Sequence, residues 1–180
     1  MKRSTLSITH GAITAAITVV LLLVDRLVAG FLMSFLPIPL IVYGLYYSIK
    51  ESFLTYIVTV LLVMIIPGQL PTTMLMIVYG FVGLVYIAVF KTDLSKIMKF
   101  VIVFIGVSIG YYIMVRFFGQ FFGLDFSTTM MEVETMFKIT DPTKVRILAF
   151  TVIFLTMFLE TLIIFMAANL VTMRIKRHRN

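Results

Sequence analysis

Apolar residues fill most of the chain and are interrupted by short polar or charged stretches. A bilayer requires about 20 consecutive apolar residues for each α-helix that crosses it. Most of the apolar runs approach that length, whereas two runs within residues 36–66 are shorter. The pattern predicts an all-α membrane protein with one integral membrane domain over residues 1–180. Its six transmembrane helices are expected at about residues 7–30, 36–49, 52–66, 72–90, 97–118 and 143–173.

Residues 36–66 fit either two short spans or one long segment. One long segment would place Lys50 and Glu51 at the bilayer centre, which costs several kcal/mol. Proline is tolerated in the first turn of a helix and disrupts its interior, so Pro37 and Pro39 indicate that a helix begins there. We therefore expect two spans that meet near Lys50 and Glu51.

The longest loop, Gly119–Asp141, is expected on the outer side of the membrane. Met130, Val133 and Phe137 recur at helical spacing within it. The spacing predicts a short amphipathic helix at Ser127–Lys138, lying on the membrane surface or folded over the bundle as a lid. The alternative is an irregular interfacial loop.

Local signals predict where turns lie and where helices begin. Residues 67–71, Pro-Gly-Gln-Leu-Pro, predict a tight, uncharged turn at the outer face. Thr129 and Glu132 have the spacing of a capping box. Asp141 followed by Pro142 combines an N-cap residue with a first-turn proline, and predicts the start of the last helix.

The composition also predicts a membrane location. Hydrophobic residues make up 61% of the chain and charged residues 13%, and the mean hydropathy is +1.12. An average soluble domain is about one quarter charged. The net charge of +7 would also suit nucleic-acid binding, but the charges lie in short clusters between apolar runs, as membrane topology signals do. We therefore expect no nucleic-acid partner.

The distribution of basic residues predicts the orientation. With the amino terminus inside, ten of the 15 lysines and arginines fall in inner segments. The other five lie at outer ends and are Arg26, Arg116, Lys138, Lys144 and Arg146. Basic residues flanking spans prefer the cytoplasmic side, so this excess predicts an even number of spans with both termini cytoplasmic.

The sequence contains little that suggests catalysis. It has no cysteine and only two histidines, near opposite ends of the chain, so we expect no metal site. It shows no nucleophile motif, phosphate-binding loop or paired-carboxylate pattern. We therefore expect no enzymatic activity, no catalytic residue and no cofactor.

Glu160 is the exception, because it lies near the middle of the last apolar run. A carboxyl group at that depth must face the bundle interior and find a partner, or be protonated. It is either part of a ligand or cation site or a structural group bonded to Thr or Tyr side chains. The candidate partners are Tyr111, Tyr112, Arg116 and Gln69.

Most of the unusual polar residues are expected in the outer half of the bundle. Asp25 and Arg26 near the end of the first span are the earliest of them, although they also fit a solvated interfacial pair. The cluster predicts an outward-opening pocket for a small, partly aromatic or apolar nutrient, with Arg116 and Glu160 as polar anchors. The inner half of the spans shows no comparable cluster apart from Asn169.

The first span carries small residues at four-residue spacing. Ala12 and Ala16 are one helical turn apart, with Gly11 and Ala15 beside them. Such a strip allows another helix to approach closely. The approaching helix belongs either to a partner protein or to this bundle.

These features resemble a known family of membrane subunits. Six short hydrophobic spans, both termini inside and the Ala12-xxx-Ala16 strip resemble the substrate-binding S component of an energy-coupling-factor (ECF) transporter. The stretch FLPIPLIVYGLYYSIKESF and a fourth span ending YGFVGLVYIAVFK resemble the YybS-like branch of that fold. The resemblance implies a multi-pass subunit of a bacterial cytoplasmic membrane that takes up a vitamin or other micronutrient.

The resemblance also implies partners and roles. Ala12 and Ala16 would dock onto a transmembrane coupling subunit, which works with a pair of ATPases. The residues near the bound micronutrient would be Asp25, Arg26, Gln69, Tyr111, Arg116 and Glu160. Two other interpretations remain open: a non-transport scaffold of the same fold, similar to MreD, and a small autonomous channel or carrier.

Overall fold

The computed structural model describes residues 5–28, 30–119, 126–139 and 141–179, and these residues form helices joined by short turns. The seven α-helices within these ranges are α1 (Thr5–Leu27), α2 (Ile38–Tyr46), α3 (Ile49–Ile65), α4 (Leu70–Phe90), α5 (Lys96–Ile113), α6 (Phe126–Phe137) and α7 (Pro142–Arg179). A 3-10 turn, Met33–Phe35, precedes α2, and a π-helical turn, Met114–Phe118, continues α5.

Four of these helices are long and apolar enough to cross a membrane. They occupy Thr5–Leu27, Leu70–Phe90, Lys96–Phe117 and Pro142–Val171. The helix α2 has nine residues and α3 has 17, fewer than the roughly 20 that a bilayer requires. An all-helical fold with four candidate membrane-spanning helices is therefore confirmed for the described residues, whereas the count of six spans and the orientation of the termini stay predictions.

The region between residues 36 and 66 forms two helices, as the charged residues and prolines predicted. The backbone is extended at Tyr47 and Ser48, which separates α2 from α3. Ser48 then starts α3 with a capping box: its hydroxyl accepts from the amide of Glu51, and the Glu51 carboxylate accepts from the amide of Ser48 at 2.9 Å. This box puts the charges at the beginning of a helix, where a carboxylate also interacts favourably with the helix dipole.

The helix α4 packs against α2, α3 and α5 and lies at the centre of the bundle. Two glycines of α5 allow α4 to approach. A Cβ atom at Gly110 would lie 2.6 Å from Val78, and one at Gly106 would lie 3.2 Å from Val85. The GxxxG pair therefore lies at the α4–α5 contact, where small residues bring two backbones close together.

The helix α6 is folded back against the first turns of α7. Val133 is 5% exposed and packs with Val145 and Ala149, and the rings of Phe126 and Phe150 are 4.7 Å apart between centroids. The predicted short helix is thus confirmed, and its attachment to α7 is a tertiary contact. Its depth relative to a bilayer stays a prediction.

The helix-start signals had different outcomes. Thr129 does not form an N-cap, because α6 includes Phe126 and places Thr129 inside the helix. Asp141 does cap α7, since its Oδ1 accepts from the amide of Thr143 at 2.9 Å. The turn before α4 is also confirmed by Gly68, whose φ of 60° lies in the left-handed region that glycine adopts without strain.

Candidate functional site

A buried polar centre forms where α4, α5, α7 and the 3-10 turn converge. Glu160 of α7 is 5% exposed, and its Oε1 accepts a hydrogen bond from the hydroxyl of Tyr79 in α4. The hydroxyls of Tyr111 in α5 and Ser34 in the 3-10 turn lie beside the same carboxyl group. The centre therefore joins four segments that are distant in sequence.

Glu160 has hydrogen-bonding capacity that its neighbours do not use. Its Oε2 atom is buried and accepts no hydrogen bond from any residue that the structure describes. A buried carboxyl oxygen without a hydrogen bond costs free energy, and buried polar atoms of native proteins are rarely without a hydrogen-bond partner. The neighbouring hydroxyls of Tyr111 and Ser34, or a group of a bound molecule, can supply the missing donor after a small shift.

Part of this centre is predictable from the sequence. Tyr111 is a predicted partner of Glu160, and the structure brings these two side chains together. Tyr79 and Ser34 were not predicted, because a tyrosine or serine in an apolar run looks the same whether it faces lipid or the core. The only available signal for Tyr79 was its place in a span rich in glycine, which favours close helix contact.

Asp25 supports a loop. Its side chain is 2% exposed, and its Oδ1 accepts from the backbone amide of Leu32 at 2.7 Å. Its own carbonyl accepts from the amide of Gly30 at 3.0 Å. These bonds hold the chain where it leaves α1 and turns back towards the 3-10 turn that carries Ser34.

Arg26 and Gln69 meet where α1 ends and α4 begins. The guanidinium group of Arg26 donates to Oε1 of Gln69 and to the hydroxyl of Thr72. These bonds connect the end of α1 to the start of α4 and do not include Glu160. The predicted cluster is thus divided into a connection between helix ends and a separate buried centre.

Arg116 lies apart from both groups. It is exposed within the π-helical turn and forms no ion pair with Glu160. Tyr112, the other proposed partner, is 67% exposed. Neither side chain contacts Glu160, the partner that the sequence suggested, because α5 is rotated so that Tyr111 faces the centre.

An apolar cleft of about 630 Å³ lies between α5, α6 and α7. Small-molecule sites are typically about 300–1,000 Å³ and are mostly apolar with a few polar groups. Its lining is formed by Ser108, Tyr111, Tyr112, Val115, Phe126, Ile147, Phe150, Thr151, Ile153, Phe154 and Met157. Tyr111 belongs to both the cleft and the Glu160 centre, so it connects the two.

A second polar cluster lies at the opposite end of the bundle, where the sequence analysis expected none. The hydroxyl of Ser7 donates to Glu51 Oε1 at 2.6 Å and lies 3.2 Å from that of Tyr43. His10 Nδ1 is 2.6 Å from the Tyr47 hydroxyl. The expectation of an inner half without a polar cluster is wrong, because these residues come from three helix ends that meet only after folding.

The strip of small residues on α1 is divided between two faces. Gly11 and Ala15 are buried, and a Cβ atom at Gly11 would lie 2.9 Å from Oγ1 of Thr55 in α3. Ala12 and Ala16 are exposed on the outer surface of the bundle. Gly11 and Ala15 therefore take part in packing within the bundle, whereas Ala12 and Ala16 lie on its surface.

No group of three or more potential metal ligands occurs within the described ranges. Comparisons with protein-family models, with curated proteins and with solved structures found no match to this chain. Two features of the molecule itself are candidates for a functional role: the Glu160 centre beside the cleft, and the exposed pair Ala12 and Ala16.

Proposed function

We propose that this chain is the substrate-binding membrane subunit, or S component, of an ECF-type importer for a vitamin or other micronutrient. The observation that carries the proposal is the buried Glu160 carboxyl group, with one oxygen unpaired, next to a ligand-sized cleft. An ionisable residue inside a membrane bundle is costly and most often marks a ligand or ion pathway. Tyr111, which lines the cleft and adjoins Glu160, supplies a polar contact for a bound molecule.

The surface of α1 supports the docking part of the proposal. Ala12 and Ala16 are exposed, so they form a shallow surface that a helix of a coupling subunit approaches without displacing side chains of this bundle. That subunit would connect the chain to a pair of ATPases. In this arrangement the chain binds the nutrient, and its partners supply the energy of transport.

The proposal also includes the finer topology. The helices α2 and α3 each cross part of the bilayer, and together with the four long helices they give six spans with both termini in the cytoplasm of a bacterial cell. The ten-to-five distribution of basic residues supports this orientation. The cleft would then lie in the outer half of the bundle, with α6 against its wall.

Co-purification from native membranes in a mild detergent tests the proposal. We expect the tagged wild-type chain to recover a coupling subunit and two ATPases, and the double variant Ala12→Leu, Ala16→Leu to lose them. The control is Ala88→Leu, which makes one substitution of the same kind at an exposed alanine of α4. Recovery of cell-shape proteins would favour the MreD-like scaffold, and recovery of no partner would favour an autonomous carrier; either result would overturn the proposal.

A further inference from the structure

The cleft between α5, α6 and α7 has a chemistry that narrows the class of ligand. We propose that it takes an elongated apolar molecule with one hydroxyl or amino group, which enters from the lipid and donates a hydrogen bond at the Tyr111–Glu160 end. This inference rests on the ligand-binding part of the proposed function and specifies its substrate class. It does not require the ATPase partners.

The walls of the cleft favour a ligand with an apolar body. Nearly all of the lining is aliphatic or aromatic. Ile147, Phe150 and Phe154 are 63%, 55% and 52% exposed, so the cleft is open on the apolar outer surface of the bundle. A strongly hydrated molecule would lose its hydration shell there without replacement hydrogen bonds, which disfavours polar nutrients. An apolar ligand has no hydration shell to lose when it moves from the lipid into the cleft.

The end of the cleft at Tyr111 favours a ligand that carries one hydrogen-bond donor. The hydroxyl of Tyr111 adjoins a carboxyl group whose Oε1 already accepts from Tyr79 and whose Oε2 is unpaired. When Tyr111 directs its proton to Glu160, its own oxygen remains available as an acceptor. The Tyr111 oxygen lines the cleft and is the acceptor that a ligand reaches, so the site selects a molecule that donates a hydrogen bond over a plain hydrocarbon.

The position of α6 indicates that the cleft is closed on one side and open on the other. Phe126 of α6 lines the cleft and packs on Phe150 of α7. The π-helical turn Met114–Phe118 begins three residues after Tyr111, and π-helical turns occur frequently at functional sites. A ligand that enters between α5 and α7 would thus reach Tyr111 without passing through α6.

The absence of tryptophan from the sequence allows a clean spectroscopic test. Phe150→Trp places a single indole on the cleft wall, and Phe53→Trp places one on α3, outside the cleft. Phe150 and Phe53 are 55% and 54% exposed, so the two reporters are matched. The purified proteins in lipid nanodiscs would be titrated with ω-bromoundecanol, whose bromine quenches indole fluorescence on contact, and with bromoundecane, which has no hydroxyl group.

We expect ω-bromoundecanol to quench the Phe150→Trp reporter along a saturating curve. Bromoundecane should quench it only in proportion to its concentration in the lipid. The Phe53→Trp reporter should respond in proportion to concentration with both compounds. Saturation at both reporters, or equal curves for the alcohol and the hydrocarbon, would show non-specific contact with lipid-dissolved probe and would overturn the proposal.

Side-chain variants in the Phe150→Trp background locate the polar contact. Tyr111→Phe should raise the half-saturating concentration about tenfold, the loss expected for one hydrogen bond. The matched deletion Tyr112→Phe, at a neighbouring hydroxyl of the same cleft, should leave it unchanged. An equal effect of both variants would overturn the assignment to Tyr111.

A cleft-filling variant keeps the test independent of the polar centre. Ser108→Leu adds bulk to the α5 wall, where the serine hydroxyl bonds only its own helix among the described residues, to the carbonyl of Phe104. We expect it to abolish saturation, and unchanged saturation would overturn the proposal. Saturable binding without recovery of the ATPases would contradict the transporter proposal but not this inference. Recovery of the ATPases without saturable binding would contradict this inference but not the transporter proposal.

Discussion

The hydroxyl of Tyr79 in α4 donates a hydrogen bond to Oε1 of Glu160 in α7, across 81 positions of sequence. Both side chains are buried, at 4% and 5% exposure. The bond fixes the relative depth of two spanning helices at the centre of the bundle. It also leaves the second carboxyl oxygen, beside the cleft-lining Tyr111, without a hydrogen bond from a described residue.

Removal of the Tyr79 hydroxyl should therefore destabilise the bundle. Tyr79→Phe leaves both oxygens of Glu160 without a short hydrogen bond from a described residue, and we expect a loss of about 1–3 kcal/mol in unfolding free energy. Unfolding in detergent by a denaturant would measure it. The double variant Tyr79→Phe, Glu160→Met removes both partners and should recover most of the loss. No recovery would show that Glu160 is held mainly by other groups.

Glu160 and Arg116 should differ in their effect on ligand binding. In thermal-shift measurements against a panel of vitamins and lipophilic alcohols, a ligand at 100 times its Kd adds about 2.7 kcal/mol of stability. We expect Glu160→Gln to reduce that shift and Arg116→Ala to leave it unchanged, because Arg116 is exposed and does not contact the carboxyl group. A larger effect of Arg116→Ala would favour the anchor role that the sequence suggested.

The buried and the exposed alanines of α1 should respond differently to added bulk. Ala15 is fully buried, so Ala15→Leu should cost about 1–3 kcal/mol through overpacking. Ala12→Leu with Ala16→Leu should leave the melting temperature almost unchanged, since both side chains are exposed. If the exposed pair also lowered the melting temperature, packing within the bundle would explain the whole strip.

The predicted topology is directly testable because the chain contains no cysteine. Single cysteines at Ser4 and Asn180 should be protected from an impermeant thiol reagent in intact cells, and one at Ser127 should react. Ser4 and Asn180 lie outside the described residues, so this prediction derives from the charge distribution alone. Protection of only one terminus would exclude an even number of spans.

The helix α6 should be the first helix to separate from the bundle. Its main buried side chain is Val133, which packs on Val145 and Ala149. Val133→Ala should lose about 1–2 kcal/mol of that local contact. Hydrogen exchange should then accelerate in α6 while the core of α4 keeps its protection. Equal acceleration in both helices would show that α6 is integral to the global fold.

The sequence by itself determined the features that depend on neighbouring residues. The apolar runs indicated the helices, Lys50 and Glu51 indicated the break between the two short helices, and Asp141 indicated the start of the last helix. Each of these depends on backbone preferences and contacts within a few positions. Thr129 was the exception, because capping-box spacing also occurs inside a helix that has already begun.

The tertiary structure decided which polar side chains meet. Periodicity assigns residues to one face of one helix, but it does not give the rotation and depth of that helix against its neighbours. Those depend on close packing, such as the approach of Gly110 to Val78. That packing directed Tyr111 rather than Tyr112 towards Glu160 and brought Ser7 to Glu51. The candidate site is therefore a property of helix packing, which single-helix patterns do not encode.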